Sequence, residues 1–179
     1  SPIPSFPMST TLDEIASLLD SAQIRYGRRE DRIRTGFETD LYEDREGDNC
    51  LHLAIWPEDD GETLRVQAYG TYVLPPEQHA EKLAAVQQTI NQINWETKLA
   101  HYEMDVQDGE IRISVDIPLE DAKLTERQLM RAVKLLPDLA DRCHIAMRQA
   151  LDHGIPLATH DQLCLRFDSF MIERDKGLA

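Results

Sequence analysis

The segment from Leu83 to Leu119 constrains the fold of this chain more than any other part of the sequence. Its first half carries four apolar residues at helical spacing, which predict an amphipathic helix ending near Trp95: Leu83, Val86, Ile90 and Ile93. Two strands are predicted next, near 98–107 and 109–119, meeting at Asp108-Gly109, a dipeptide typical of a hairpin turn. In the second strand apolar and polar residues alternate, so one face is expected in the core and the other in solvent.

The flanking sequence predicts further helices and strands. Capping boxes open a first helix over about 11–22, at Thr11 with Glu14, and a long helix ending near Gly154, at Thr125 with Gln128. Pro137 lies inside the long helix and is expected to kink it or split it in two. Between the first helix and Leu83, three alternating stretches with short polar links favour an antiparallel meander. Their predicted core-facing residues are Ile33, Thr35 and Phe37; Leu51, Leu53 and Ile55; and Leu64, Val66, Ala68 and Tyr72.

This element order predicts an α+β fold of two layers, a five-stranded antiparallel sheet packed by helices in the order α-β-β-β-α-β-β-α. The domain is expected to span residues 11–154. Residues 1–10 are expected to be a disordered N-terminal segment or an expression remnant before a natural start at Met8. Residues 155–179 are expected to form a C-terminal tail with a short helix.

The charge balance excludes whole classes of partner. A net charge of -14, from 33 acidic and 19 basic residues, argues against nucleic-acid binding, which needs a basic face. No apolar run approaches the ~20 residues of a membrane-spanning helix, so no membrane insertion is expected. The three cysteines, Cys50, Cys143 and Cys164, are widely spaced and odd in number, which favours a reducing cytoplasm without a disulfide framework.

No motif for a chemical reaction is found in the sequence. The serine hydrolase pattern G-x-S-x-G is absent, as are the P-loop and the glycine-rich dinucleotide fingerprint. Cys50 and His52 share a strand face, but two ligands do not complete a zinc site. His153, His160 and Asp161 could hold a metal only if folding brought them together. The sequence therefore predicts no catalytic residue, no metal and no cofactor.

Although the chain is acidic overall, five arginines cluster in the link between the first helix and the first strand: Arg25, Arg28, Arg29, Arg32 and Arg34. Guanidinium forks suit phosphate and carboxylate groups, so this loop is a candidate contact for an anion or an acidic partner segment. The alternative is a solvated loop balanced by Glu30, Asp31 and other surface acids. The mixed signs of charge favour that alternative.

The sheet face opposite the predicted core carries a candidate interaction surface. If Leu51, Leu53 and Ile55 face the core, then Ala54 and Trp56 point the other way. Tyr69 and Val73 of the next strand fall on that same outer side. Aromatic residues on a sheet face that is expected to be exposed to solvent are typical of protein interfaces. The alternative is that the C-terminal tail covers this surface within the same chain.

Three segments carry a resemblance to a known family: Leu83–Asn94 with its Ile90-Asn91 and Ile93-Asn94 pairs, Asp108–Arg112, and Thr125–Leu129. With the topology over roughly residues 11–150, they resemble the YbjN family of proposed bacterial sensory-transduction regulators, whose fold is similar to that of class I type III secretion chaperones. The resemblance implies a small, acidic, often dimeric protein that binds another protein and has no catalytic residues. Asn91 and Asn94 are expected to anchor the helix end to the following hairpin.

The main hypothesis is a non-catalytic protein-binding module, chaperone-like or regulatory, that works as a homodimer in a bacterial cytoplasm. Its edge strands and outer face could accept an extended segment of a partner whose identity the sequence does not give. The alternative hypothesis is a small-ligand or anion sensor, or an enzyme, that uses the Arg25–Arg34 loop with histidine and cysteine residues.

Overall fold

A computed structural model of the chain describes residues 10–159. Within this range the elements follow in the order α1 (Leu12–Ser21), β1 (Gly27–Arg28), β2 (Ile33–Glu38), β3 (Cys50–Glu58), β4 (Thr63–Val73), α2 (His79–Glu96), β5 (Ala100–Met104), β6 (Glu110–Pro118) and α3 (Glu126–His153). The strands form one antiparallel sheet in the order β1-β2-β3-β4-β6-β5. The predicted α+β class is confirmed.

The number of strands was predicted wrongly, because the described sheet has six strands instead of five. The additional strand, β1, consists of Gly27 and Arg28 and pairs with Arg34 and Ile33 at the edge of the sheet. Two exposed residues show no alternation of apolar and polar side chains, so periodicity could not reveal them. Part of the arginine-rich link is therefore regular sheet.

The helices pack together on one face of the sheet. Helix α3 contacts strands β3 to β6 and both other helices, and one hydrophobic core joins these elements. The predicted core positions of the first three long strands are all buried except Phe37, which is half-buried. Alternation in the sequence therefore identified the inner face correctly.

Both predicted capping boxes are present. The Glu14 N–H donates to Thr11 Oγ1 and the Thr11 N–H donates to Glu14 Oε2, and Thr125 and Gln128 make the equivalent pair. Pro137 does not split the last helix, because α3 runs without a break from Glu126 to His153, so that part of the prediction is wrong and the kink stays a prediction. Proline removes one helical donor, but the Pro137 ring is buried, so packing against the core keeps the helix continuous.

The hairpin between β5 and β6 is longer than the predicted turn. Strand β5 ends at Met104, and the Gly109 N–H donates to the Asp105 carbonyl over 2.8 Å to close the loop. Gly109 has φ of 79°, and a Cβ at this position would lie 1.8 Å from the Leu74 carbonyl oxygen. Only glycine fits here, because the hairpin approaches the end of β4 through its backbone.

Asn94 joins the end of α2 to the hairpin, as predicted. Its Nδ2 donates to the Tyr102 carbonyl over 3.0 Å, and its Oδ1 accepts from the Tyr102 N–H over 2.8 Å. Tyr102 lies in the middle of the edge strand β5, so one side-chain amide satisfies the backbone groups that a neighbouring strand would bind. Asn91 is exposed and does not take part.

The chain continues past α3 along the helical layer. The buried Leu157 donates its N–H to Thr89 Oγ1 of α2 over 2.9 Å. Residues 1–9 and the helix-like pattern predicted beyond residue 159, with Cys164, lie outside the described residues. Among residues 10–159, none of the helices has the length and apolar character needed to span a membrane.

Candidate functional site

The outer face of the sheet holds the residues predicted as an interaction surface. No helix of residues 10–159 packs on this face. Trp56 is half-buried opposite Arg65, and Tyr69 is 38% exposed. Ala54 also lies on this face, between Arg34 and Gln67, but it is only 2% exposed and offers almost no contact area.

Val73 lies apart from Trp56. It pairs with Glu110 beyond a bulge in β4, near the hairpin end of the sheet. Eight residues of strand separate it from Arg65, the cross-strand neighbour of Trp56, which corresponds to about 25 Å. The structure therefore does not bring Val73 and Trp56 together.

Two of the predicted arginines lie against the two aromatic rings. The Arg32 guanidinium carbon is 4.9 Å from the centre of the Trp56 ring, and that of Arg34 is 5.4 Å from the centre of the Tyr69 ring. Both distances suit an attraction between a cation and an aromatic face. Two groups of residues that the sequence suggested separately thus form one surface, here called the arginine–aromatic patch: Arg32, Arg34, Trp56 and Tyr69.

The remaining arginines of the link do not join the patch. Arg28 pairs with Asp13 of α1 over 2.6 Å, and Arg25 and Arg29 are exposed. Arg32 also donates to its neighbour Asp31, whose pKa is lowered chiefly by that hydrogen bond. No carboxylate of residues 10–159 lies within salt-bridge distance of Arg34. Arg34 therefore keeps a positive charge that a partner could pair with.

Beside the patch, charged groups neutralise each other. Arg65 donates two hydrogen bonds to Asp116, over 2.6 and 2.9 Å, and this hydrogen bonding is the largest cause of the raised pKa of Arg65. The Trp56 indole N–H donates to Glu58 Oε1 over 2.9 Å, and that oxygen lies 3.6 Å from the Arg65 guanidinium. These contacts hold the Trp56 ring in a fixed orientation.

A second set of polar contacts extends to the β5 edge. Gln67 donates to Ser114 over 3.2 Å, and the Ser114 hydroxyl lies 3.4 Å from Glu103 Oε2. Glu103 also contacts Arg112 over 2.6 Å and His101 over 2.9 Å. Burial opposes ionisation of Glu103, but the contacts with Arg112 and His101 outweigh it and lower its pKa. This outer polar network fixes the side chains in place.

Two of the residues considered for enzyme or metal chemistry, Cys50 and His52, approach each other on one strand face beside Gly36, and His160 and Asp161 lie outside the described residues. Cys143 lies in the core, and burial raises the pKa of its thiol to about 12. Cys50 is half-buried with a raised pKa, chiefly from burial, and His52 lies 3.7 Å from Asp44. Among residues 10–159, no group of three or more histidine, cysteine or acidic side chains is placed to hold a metal.

Sequence reasoning missed two features outside the sheet face. Trp95 is 83% exposed, although it was read only as the end of a helix. Its exposure could have been inferred, because a side chain two positions after the buried Ile93 is rotated about 200° from it around the helix axis. The ring cluster of Tyr42, Tyr72 and His144 has no sequence signal, because its members come from a loop, a strand and a helix.

Comparison with solved structures finds a similar chain, described as the crystal structure of an uncharacterized protein from Methanothermobacter thermautotrophicus. The TM-score is 0.45 and the sequence identity 11%, over 78% of this chain and 97% of that chain. No curated protein matches the chain at a significant level. The predicted similarity to type III secretion chaperones stays a prediction.

Comparison with protein families gives a match over most of the chain. The model of the YbjN family, described as "Putative bacterial sensory transduction regulator", matches residues 11–149. The matched range contains the whole sheet, helices α1 and α2, most of α3 and the arginine–aromatic patch. The resemblance drawn from the helix before the hairpin and from the start of the last helix is thereby confirmed. The chain belongs to the YbjN family.

Proposed function

We propose that this chain is a non-catalytic protein-binding module with a regulatory role, and that its partner docks on the outer face of the sheet at the arginine–aromatic patch. The observation that carries this proposal is the pairing of Arg32 with Trp56 and of Arg34 with Tyr69. The description of the YbjN family is compatible with a regulatory role. Binding to a protein is the step that we add.

The chemistry of the patch supports this choice. Arginine, tyrosine and tryptophan dominate the binding energy of many protein interfaces. A guanidinium already held against a ring loses less side-chain freedom when a partner binds. Because Arg34 has no carboxylate partner within residues 10–159, an acidic side chain of the partner can pair with it.

Within the arginine–aromatic patch, Asp31 neutralises Arg32, so the positive charge offered to a partner is that of Arg34. Farther along the sheet, Asp116 neutralises Arg65, and Glu103 neutralises Arg112. The chain as a whole carries a net charge of -14, so a local cationic surface favours approach of an acidic segment over a basic one. We therefore expect the partner segment to combine carboxylates with apolar or aromatic side chains.

Docking on the face is favoured over addition of a strand at β5. Asn94 already satisfies the outward backbone groups of Tyr102 in the middle of that edge. At the opposite edge, β1 pairs only with Ile33 and Arg34, so the second half of β2 could still accept an extended segment next to the patch. A partner could therefore combine both contacts on the β2 side.

An anion-sensing role for the whole Arg25–Arg34 loop has less support. Arg28 and Arg32 are engaged by Asp13 and Asp31, and Arg28 lies towards α1. A homodimer, a chaperone-like action and a bacterial cytoplasmic setting remain parts of the proposal. Light scattering after size exclusion at micromolar concentration tests the dimer, and a monomer there would remove it from the proposal.

The decisive experiment compares protein capture by three forms of the full-length chain from lysate of the native host. The forms are wild type, the double variant Arg34→Glu with Tyr69→Ser, and the control Arg45→Glu, which changes an exposed arginine in a different loop. A specific partner should bind wild type and control, and should be reduced at least about tenfold with the double variant.

Circular dichroism and thermal melting establish that all three forms are folded. Equal capture by all three forms would count against the outer face as the docking site. A thermal shift of several degrees with phosphate or a nucleotide, lost in Arg34→Glu, would instead favour the ligand sensor.

A further inference from the structure

A second surface of distinct chemistry lies on the helical side of the molecule. A groove of about 210 Å³ runs between the end of α2 and the middle of α3. Its walls carry three cations, Lys98, Arg131 and Arg142, and two leucines, Leu99 and Leu135. Glu96 and Thr97 at the end of α2 complete it. We call this surface the α2–α3 groove.

The groove is partly apolar, and its first lining residue, Glu96, directly follows the more exposed of the two tryptophans. Leu99 is 48% exposed and Leu135 is half-buried, so the floor offers apolar area that the core does not use. Trp95 precedes Glu96 directly and is 83% exposed. Large exposed apolar side chains that cluster at one place mark interaction sites more often than scattered ones do.

The charge of the groove is opposite to that of the chain. Three cations face one carboxylate in its walls, whereas the whole chain has 33 acidic and only 19 basic residues. A neighbouring depression of about 240 Å³ shares Arg131 and adds Arg127. Arg142 pairs with Asp138 over 2.9 Å, but both are exposed, and such a pair gives way easily to another carboxylate.

We propose that the α2–α3 groove binds an acidic segment of another protein, with an apolar side chain of that segment seated between Leu99 and Leu135. Lys98 and Arg131 pair with its carboxylates, and the segment extends past Glu96 onto the exposed ring of Trp95. This site is separate from the outer face of the sheet, so it does not depend on the arginine–aromatic patch.

The occupant follows from the range of the electrostatic forces. A nucleic acid or an anionic membrane extends far beyond the groove and meets the net charge of -14 on the rest of the surface. A short acidic peptide mainly feels charges within a Debye length of about 10 Å at 0.1 M salt. The residues that line the groove comprise three cations and one carboxylate, and Asp138 pairs with one of those cations, so the lining keeps an excess of positive charge.

The test follows peptide binding through the fluorescence of Trp95 in the full-length chain. The chain has two tryptophans, so Trp56→Phe leaves Trp95 as the single emitter. The probe is a synthetic 14-residue peptide of Glu, Asp, Leu and Phe, and its matched control has lysine in place of every acid. The acidic peptide should shift Trp95 emission to shorter wavelength and protect it from acrylamide, and the lysine peptide should do neither.

Charge reversal in the groove separates a specific site from general attraction. Lys98→Glu with Arg131→Glu should weaken binding of the acidic peptide at least about tenfold, because like charges then face each other. Arg45→Glu, with half the charge change and outside the groove, should weaken it less than about twofold at 0.1 M salt. Arg34→Glu with Tyr69→Ser also replaces a cation by a carboxylate, but on the outer face of the sheet, and it should leave binding at the groove intact.

Three outcomes would overturn the proposal. The outer-face variant carries half the charge change of the groove variant, so a loss of binding free energy at least half as large in the outer-face variant would indicate attraction to net charge alone. Protection of Trp95 from acrylamide in the free chain at every concentration would mean that the chain itself fills the groove. Protection that appears only as the protein concentration rises would mean that a second copy is the occupant.

Discussion

The two faces of the sheet bury their central residues in different ways. On the inner face, Val66, Ile113 and Val115 are fully buried among apolar side chains of the helices. On the outer face, Ser114 is fully buried and Gln67 is 9% exposed, but both belong to a hydrogen-bonded network with Glu103. Burial alone therefore does not identify the core of this protein. The core is identified by the apolar groups that a buried side chain contacts.

This difference makes the two faces respond differently to substitution. Inner-face contacts are non-directional, so their loss costs free energy in proportion to the apolar area and the cavity created. Outer-face contacts are directional and paired, so removing one member leaves the other without its partner. The following predictions begin with the change that should affect stability most.

Replacing Ile113 by aspartate should unfold the protein or remove at least about 4 kcal/mol from its free energy of unfolding, because an unpaired carboxylate would enter the core. The matched variant Trp56→Asp on the outer face should keep the fold and cost about 1–2 kcal/mol. Urea denaturation followed by circular dichroism measures both. A folded Ile113→Asp beside an unfolded Trp56→Asp would invert the assignment of the faces.

The variant Asp116→Ala should lower the free energy of unfolding by about 1.5–3 kcal/mol, because the Arg65 guanidinium would lose a bidentate partner. The control is the double variant Arg65→Leu with Asp116→Leu, which removes both charges. It should recover much of the loss, since two apolar side chains leave no unpaired group. A double variant as unstable as Asp116→Ala alone would mean that the pair itself stabilises the sheet.

The predictable part of this fold is the part set by short-range patterns. Strand alternation identified the inner face, the capping boxes located two helix starts, and Asn94 was recognised as an anchor because of its place after Ile93. The pairs Arg65–Asp116 and Arg32–Trp56 could not be predicted, because they depend on the register between strands. The α2–α3 groove likewise requires the packing of two helices that the sequence does not place side by side.

The outer polar network should make part of the stability depend on pH through Glu103. Its pKa is lowered below the ordinary value of 4.5 in the folded protein, so the ionised form stabilises the fold above that pH. This contribution is lost as the pH falls through the lowered pKa. Glu103→Gln should cost roughly 1 kcal/mol at pH 7, a modest value because solvent screens the half-buried group.

Urea denaturation of wild type and Glu103→Gln at pH 7 and near pH 3 checks this sign. The difference between the two proteins should shrink as the pH falls through the lowered pKa of Glu103, because protonation then makes the wild-type side chain neutral like the glutamine. Asp108→Asn, in the exposed hairpin loop, is the control for a general effect of one carboxylate. A difference that stays constant with pH would show that Glu103 acts through packing instead of charge.

The smallest effect on stability is expected at the arginine–aromatic patch, and that small effect is informative. A double-mutant cycle of Arg34→Ala and Tyr69→Ser should give a coupling of about 0.5–1 kcal/mol, typical of a cation against an exposed ring. Each single variant should change the free energy of unfolding by less than about 1 kcal/mol, because Arg34 is exposed and Tyr69 is partly so. Urea denaturation of the four proteins measures the cycle. Such small effects would mean that the fold does not require the contact between Arg34 and Tyr69, which leaves these residues available for a partner. A single variant that lowers the free energy of unfolding by more than about 2 kcal/mol would instead make the patch a structural element, like the neighbouring Arg65–Asp116 pair.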